Sequence, residues 1–287
     1  MDMSRYRVWK IPKATGGFRE IMEPDAELKA LQHSVLAWMM ARRLWPSRYA
    51  HGFVVRRSCA THARLHVGRK VVLRIDIKDF FPSITDRQVI QTLIESDIER
   101  ERAVRIADIC TVDGHLPQGA PTSPFLSNLV FRKTDYRLAG VAASWKAHYS
   151  RYADDLIYSG DNPKLNHIFH PVNRILEDAG FKVNPKKFRV YRSGGRQLVT
   201  GIVVNERASL TRVQRRNLRA ALHNARMAVM ARKPLPTSLH VIEGHAAYLA
   251  GIDALHGRRA LRELKDIRRL EEQLARNDTD QPANGAS

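Results

Sequence analysis

Residues 149–159, Tyr-Ser-Arg-Tyr-Ala-Asp-Asp-Leu-Ile-Tyr-Ser, constrain this chain more than any other stretch. Two short, aromatic-rich apolar runs flank a pair of adjacent carboxylates, Asp154 and Asp155. Runs of this composition favour β-strands, and Asp-Asp is a turn-former that interrupts them. The expected local structure is a hairpin with both acids at its tip. Adjacent like charges cost free energy unless a cation or a basic group offsets them. Taken alone, the pair reads either as a solvated turn or as a divalent-metal site, because Mg2+ takes carboxylate oxygens and often adds substrate phosphates. Choosing between the two requires a third carboxylate and phosphate-binding cations elsewhere in the chain.

A third carboxylate is available. Val71-Val72-Leu73-Arg74-Ile75-Asp76-Ile77 reads as a buried strand, and such strands are usually unbroken apolar runs. Asp76 at its end therefore needs a partner or a metal, a salt-bridged strand terminus being the plainer alternative. Around this strand, residues 5–24 read as a hairpin turning at Gly16-Gly17, and helices are expected from Pro24 to about Trp45, Thr85 to about Thr111 and Ser123 to about Leu138. Residues 114–124 carry three prolines and two glycines, which forbid regular structure and fix a rigid loop. A further helix spans about Pro163–Ala179 with Gly180 as its C-cap, and residues 198–205 form a second hairpin element.

The charge balance points to a polyanionic partner. The 287 residues hold 48 Lys+Arg against 29 Asp+Glu, a formal net charge of +19, which favours nucleic acid over an anionic membrane. Between Thr211 and Lys233 seven residues are basic and none is acidic, and Arg212, Arg215, Arg216 and Arg219 share one helical face. Such a run is either a solvated face or a phosphate-contacting one. Residues 239–274 are again helical, and 277–287 read as a disordered tail. Cys59 and Cys110 lack metal-ligand spacing and suit a reducing compartment. With no signal-peptide core and no membrane-length apolar run, a cytoplasmic protein with no membrane partner is expected.

The order of motifs resembles the bacterial retron-type reverse transcriptases, within the group II intron-like lineage, from about residue 6 to 265. The carriers are Ile-Pro-Lys…Gly-Gly-Phe-Arg-Glu-Ile (11–21), Arg-Ile-Asp-Ile-Lys-Asp-Phe-Phe-Pro-Ser-Ile (74–84), Leu-Pro-Gln-Gly-Ala-Pro-Thr-Ser-Pro (116–124), Tyr-Ala-Asp-Asp (152–155) and Gly-Phe-Lys-Val-Asn-Pro-Lys-Lys (180–187). The resemblance implies an α+β right-hand polymerase fold. Fingers and the start of the palm would occupy 1–70. The palm, an antiparallel sheet packed on helices, would occupy 71–205 with the remaining fingers elements, and a basic helical thumb 206–276. It implies RNA-directed DNA synthesis by two-metal-ion nucleotidyl transfer, with Asp76, Asp154 and Asp155 catalytic and, together with the Ile77 carbonyl, holding two Mg2+ ions for which Mn2+ can substitute. Lys13, Arg19 and Lys187 would meet the triphosphate of an incoming dNTP, Phe81 would exclude a ribose 2′-hydroxyl, and Gln118 would line the nucleotide pocket.

Two segments lean toward the retron branch: Val199-Thr200-Gly201, and His51-Gly52-Phe53 followed by Ala63 and His66. The family's second segment usually begins Asn-Ala where this chain has His62-Ala63. By resemblance His62, His66, Val199, Thr200, Gly201, Arg212, Arg215, Arg216 and Arg219 would contact RNA or primer. The implied partners are a cognate non-coding RNA, its RNA–DNA hybrid, dNTPs and an effector protein. Synthesis would begin from an RNA 2′-hydroxyl, with a role in anti-phage defence. At this length the maturase and endonuclease domains of mobile group II proteins are not expected. The competing expectations are a defence-associated reverse transcriptase outside retrons and a catalytically silent RNA-binding protein on the same scaffold.

Overall fold

A computed structural model describes residues 3–13 and 16–279. They divide into two compact units, one up to Thr200 and one from Gly201. The first begins with an antiparallel hairpin of β1 (Tyr6–Pro12) and β2 (Phe18–Pro24). Ala14 and Thr15, in the expected turn, lie outside the described residues. Helix α1 (Ala26–Ala41) follows, its first turn closed by Asp25, which accepts from the Leu28 amide at 2.7 Å. The short helix α2 (Cys59–Arg64) and the buried strand β3 (Val71–Asp76) come next.

Two expected long helices are each broken. Residues 85–111 form α3 (Asp86–Ile94) and α4 (Arg100–Cys110), with Asp97 left-handed between them. Residues 123–138 lie in α5 (Ser123–Val130) and the start of α6 (Arg132–Ser144). Helical periodicity continues across both junctions, so the breaks are set by packing: Ile98 and Phe131, at the two joints, are both buried in the main core.

The hairpin carrying Asp154 and Asp155 is β4 (His148–Tyr152) and β5 (Asp155–Gly160), followed by α7 (Phe169–Asp178) and β6 (Arg189–Arg192). These strands and β3 make a four-stranded antiparallel sheet in the order β4-β5-β3-β6. Strand alternation sends Val71, Leu73 and Ile75 into the core with Leu93, Phe131, Leu138, Leu176 and Phe181. Arg74 and Asp76 point to the other face. The unit ends with β7 (Leu198–Val199).

Unit two starts with β8 (Ile202–Val203) and contains three helices, α8 (Arg212–Met230), α9 (Leu239–Ile252) and α10 (Ala254–Thr279). Thr211 and Gln214 form a capping box at the start of α8. Leu218, Leu222, Ala225 and Val229 recur at helical spacing along α8, and with Ile242, Ala246 and Leu249 of α9 and Leu264 and Ile267 of α10 they form this unit's own core. Residues 277–279, expected in a disordered tail, continue α10. The remainder of that tail, 280–287, lies outside the described residues. No helix among the described residues is long and apolar enough to cross a membrane.

Candidate active site

The antiparallel register sets Asp76 of β3 directly opposite Asp155 of β5. Opposed residues on one face have Cβ atoms about 4.5–5.5 Å apart, so strands from two distant motifs bring two carboxylates together. Tyr152 pairs with Asp155, which leaves Ala153 and Asp154 as a two-residue loop. The expected tip of two acids is thus corrected. Two-residue loops match the twist of the strands they join, so Asp154 sits in the turn while Asp155 opens the next strand. Ala153 takes a left-handed φ of 54°, which glycine would adopt at lower cost. The Ile77 amide donates to the Asp154 carbonyl at 2.9 Å and the Asn184 amide to the Asp76 carbonyl at 2.8 Å, tying strand end, turn and the 184–187 loop together.

Two cations meet the acids. Arg74 Nε and Nη2 each reach Asp155 Oδ1 at 2.8 Å, and Lys187 Nζ reaches Asp76 Oδ2 at 2.9 Å. Burial, followed by the charges of Asp155 and Asp76, pushes the Asp154 carboxyl up to about 6. Burial also raises Asp155, against the pull of Arg74. Asp76 Oδ1 is buried without a hydrogen-bond partner. An orphaned carboxylate oxygen beside a carboxyl whose ionisation is disfavoured suits a hard divalent cation, which would replace the missing donor and favour the ionised Asp154. Among the described residues no three His, Cys, Asp or Glu side chains converge with metal-holding geometry. Arg74 engages Asp155 through Oδ1, so Asp155 could join such a set through Oδ2.

A buried network holds the turn from below. Arg151 and Asp135 are both fully buried. Arg151 donates to Asp135 from Nε at 2.9 Å and Nη2 at 2.8 Å, and Nη1 donates to the Ala153 carbonyl at 3.0 Å. The hydroxyls of Ser47 and Tyr149 donate to the same carboxylate, and the guanidinium lies 4.5 Å from the Phe131 ring centroid. Gly52 closes the other side: a Cβ there would lie 2.6 Å from the Ala153 nitrogen, so no other residue fits. Sequence reasoning missed Arg74, Arg151 and Asp135. Arg74 carried a readable signal, since it shares a strand face with Asp76 two residues on.

Of the expected nucleotide-site residues, Lys187 meets Asp76 directly, and the others lie on separate segments. Lys13 Nζ lies 3.7 Å from Asp79 Oδ1, and Arg19 is exposed on β2. Phe81 is half-buried, its ring centroid 5.6 Å from Phe80 and 6.1 Å from Phe53. The Gln118 carbonyl accepts from the Met22 amide at 2.8 Å, fixing the Pro-Gln-Gly loop on β2. Gly119 admits β2, because a Cβ there would lie 2.7 Å from the Met22 carbonyl oxygen.

The expected RNA contacts fare unequally. His62 and His66 are fully buried, which corrects their assignment to an RNA surface. The His66 ring bridges the Ser150 and Ser159 hydroxyls of β4 and β5, at 2.7 Å each, and burial holds its pKa well below the usual histidine value. Burial lowers His62 to about 3. Both act as neutral core groups. Val199 is also buried, which removes its side chain from any RNA surface, and Thr200 donates to the Cys59 carbonyl at 3.3 Å. Gly201 is exposed with a φ of 79°. Arg212, Arg215 and Arg219 line a cavity of about 500 Å³ in unit two with Arg259, His256 and Glu263, whereas Arg216 is exposed outside it.

The reverse transcriptase (RNA-dependent DNA polymerase) family model matches residues 11–220. The chain is 31% identical to the retron Ec86 reverse transcriptase of Escherichia coli, over 95% of this chain and 83% of that one. This chain is a retron-type reverse transcriptase by family. It is also 40% identical to the retron Mx65 reverse transcriptase of Myxococcus xanthus and 37% to the retron Mx162 enzyme of the same organism. Those matches cover 86% and 92% of this chain, which spans 60% and 61% of those two relatives. Among solved structures, Candida albicans telomerase in complex with a fragment of telomeric RNA matches with a TM-score of 0.55 at 10% identity, over 91% of this chain and 63% of that one. A foamy viral protease-reverse transcriptase with double-stranded DNA matches at 0.50 and 17%, over 93% and 44%. At these identities the right-hand polymerase fold is what the retron-type chain shares with them.

Proposed function

We propose that this chain is an RNA-directed DNA polymerase of retron type, copying part of a cognate structured RNA into single-stranded DNA. The observation that carries the reading is the meeting of Asp76, with its unpartnered Oδ1, and Asp154, its carboxyl pushed up to about 6, at one end of the sheet. Asp76 and Asp154 would hold divalent ions, Mg2+ in the cell, with Asp155 and the Ile77 carbonyl as further ligands. Bound there, two such ions supply charge stabilisation to the attacking and leaving oxygens of an in-line displacement. Lys187, within reach of Asp76, would turn to the pyrophosphate as it leaves. Lys13 and Arg19 would hold the outer phosphates, Arg as a fork and Lys as a point charge. Phe81 would stand against a ribose 2′-hydroxyl, with Gln118 beside the base. The exposed arginines of α8 and the turn at Gly201 would carry RNA and primer.

In this reading synthesis starts from an RNA 2′-hydroxyl, the protein works in the cytoplasm, and an effector protein makes the complex an anti-phage system. A second reading, an RNA-binding protein without catalysis, draws on the two ion pairs, which neutralise Asp155 and Asp76 without any metal. Primer extension on an RNA template by the wild type and Asp154→Asn separates the two. Divalent-dependent synthesis lost in the variant, with RNA binding kept, supports the polymerase. Synthesis equal in both would refute the metal assignment, and RNA binding with no synthesis by the wild type would favour the second reading. Debranching nuclease treatment of the copurified nucleic acid tests the priming hydroxyl.

A further inference from the structure

Six basic residues and no acid lie between Phe181 and Thr200: Lys182, Lys186, Lys187, Arg189, Arg192 and Arg196. Only Lys187 forms an ion pair among the described residues, with Asp76. The others have no counter-charge to explain them. They follow β6, an edge strand of the four-stranded sheet, so one side of this strand is free of a neighbouring strand. Because β6 runs antiparallel to β3, with Arg192 opposite Val71 and Arg189 opposite Arg74, the basic strip starts beside the acids and leads away from them. Arg192 lies at the far end of the sheet, five residues of β3 from Asp76 or about 17 Å at strand rise.

Along β6 the strip borders a cavity of about 610 Å³ between this strand and the start of α7. Strand alternation turns Phe188, Val190 and Arg192 to the same side. Phe188 packs on Phe169 of α7 with ring centroids 4.9 Å apart, and His170 adds a third, exposed ring. The Arg192 guanidinium is anchored by the Pro163 carbonyl at 3.1 Å, and Arg196 is exposed at the rim. Asn166 adds an amide able both to donate and to accept. A flat-walled recess with aromatic rings, two arginines and one amide has the chemistry of a base-stacking site with phosphate contacts.

We propose that this recess binds an unpaired nucleotide of a single-stranded RNA segment, its base against Phe188 and His170 and its phosphates at Arg192 and Arg196. A strand is favoured over a free nucleotide because further cations, Arg189, Lys187 and Lys186, continue from the recess toward the acids. A duplex is disfavoured because its bases are stacked on one another and cannot reach the rings. The site lies along β6 on the sheet face turned away from Arg74 and Asp76, so that part of the RNA stays bound while another part is copied. This proposal rests on the reading of the chain as an RNA-carrying polymerase.

The test measures binding of the full chain to a labelled single-stranded RNA by fluorescence anisotropy across a salt series. The proteins are the wild type, Arg192→Ala/Arg196→Ala and His170→Ala, each checked by thermal melting. The double variant should bind more weakly, with the slope of log affinity against log salt falling by about 1.4, at about 0.7 per phosphate contact on a single strand. His170→Ala should lose several-fold in affinity with its salt slope unchanged, because a stacking contact is removed and no charge. Photo-crosslinking of 4-thiouridine RNA should label the peptide spanning Phe188–Arg192 or the one holding His170. If the wild type binds RNA and both variants bind it equally well with equal slopes, the recess is not an RNA site. Competition by a free nucleoside monophosphate that displaces the crosslink as efficiently as the RNA strand would also overturn the proposal, in favour of a free nucleotide. If the wild type binds no RNA, the functional reading itself fails.

Discussion

Arg151→Met separates what holds the fold from what aims the active-site turn. In the wild type the Asp135 carboxylate is fully buried and accepts from Ser47, Tyr149 and two nitrogens of Arg151. Methionine keeps much of the apolar bulk over Phe131 but leaves Asp135 as a buried charge with only two hydroxyl donors. Breaking one side of a buried pair costs about 3–5 kcal/mol, a large share of the roughly 5–15 kcal/mol that stabilises a domain. Adding Asp135→Asn removes the stranded charge, and the amide can still accept from Tyr149 and donate to Ser47. The double variant should therefore recover about 2 kcal/mol or more over Arg151→Met, since isosteric neutral replacement of a buried pair is often close to neutral. Synthesis should not recover with it. In both variants the Ala153 carbonyl loses its donor, and a left-handed alanine that costs about 1–2 kcal/mol is free to relax. A displacement of the acid beside it by about 1 Å is worth about a hundredfold in rate. Equilibrium urea unfolding gives the stabilities and primer extension the rates. The reasoning fails if Arg151→Met unfolds within 1 kcal/mol of wild type, or if the double variant synthesises DNA at the wild-type rate.

Three further outcomes follow from the geometry. Asp154 has a raised folded-state pKa of about 6 against an ordinary 3.8, so the folded protein binds this proton more tightly and loses stability as pH rises from about 4 to about 6. Asp154→Asn should then be more stable than wild type near pH 7.5, by at most about 3 kcal/mol at about 1.4 kcal/mol per unit, and no more stable near pH 3.5; equal melting temperatures at both pH values would refute this. Phe81→Ala should raise ribonucleotide incorporation relative to deoxyribonucleotide in single-turnover assays, and unchanged sugar selectivity would return Phe81 to a packing role beside Phe80. Replacing Arg212, Arg215 and Arg219, which line the unit-two cavity, with alanine should weaken RNA binding and flatten its salt dependence by up to about 2, at about 0.7 per lost contact, whereas unaltered binding would mark that face as merely solvated.

The sequence alone determined the local structure of this protein and the chemistry it can carry. The apolar run ending in Asp76, the aromatic strands around Asp154 and Asp155, and the Gly180 stop are short-range signals, each readable within a few residues. The order of five motifs was sufficient to identify the family, and the fold followed from it. The tertiary structure decided which side chains face one another, because that depends on register and on contacts between segments distant in sequence. It placed Asp155 opposite Asp76 and gave it to Arg74, leaving Asp154 at the tip. It also buried His62 and His66, assigned by resemblance to RNA contact, because α2 packs against β4 and the His66 ring bridges β4 and β5. Arg151 and Asp135 are ordinary charged residues on an isolated strand and helix; only the closing of the core between them makes each the sole adequate neutraliser of the other. Local propensity is written in nearest neighbours, whereas burial and electrostatic pairing are properties of the assembled core.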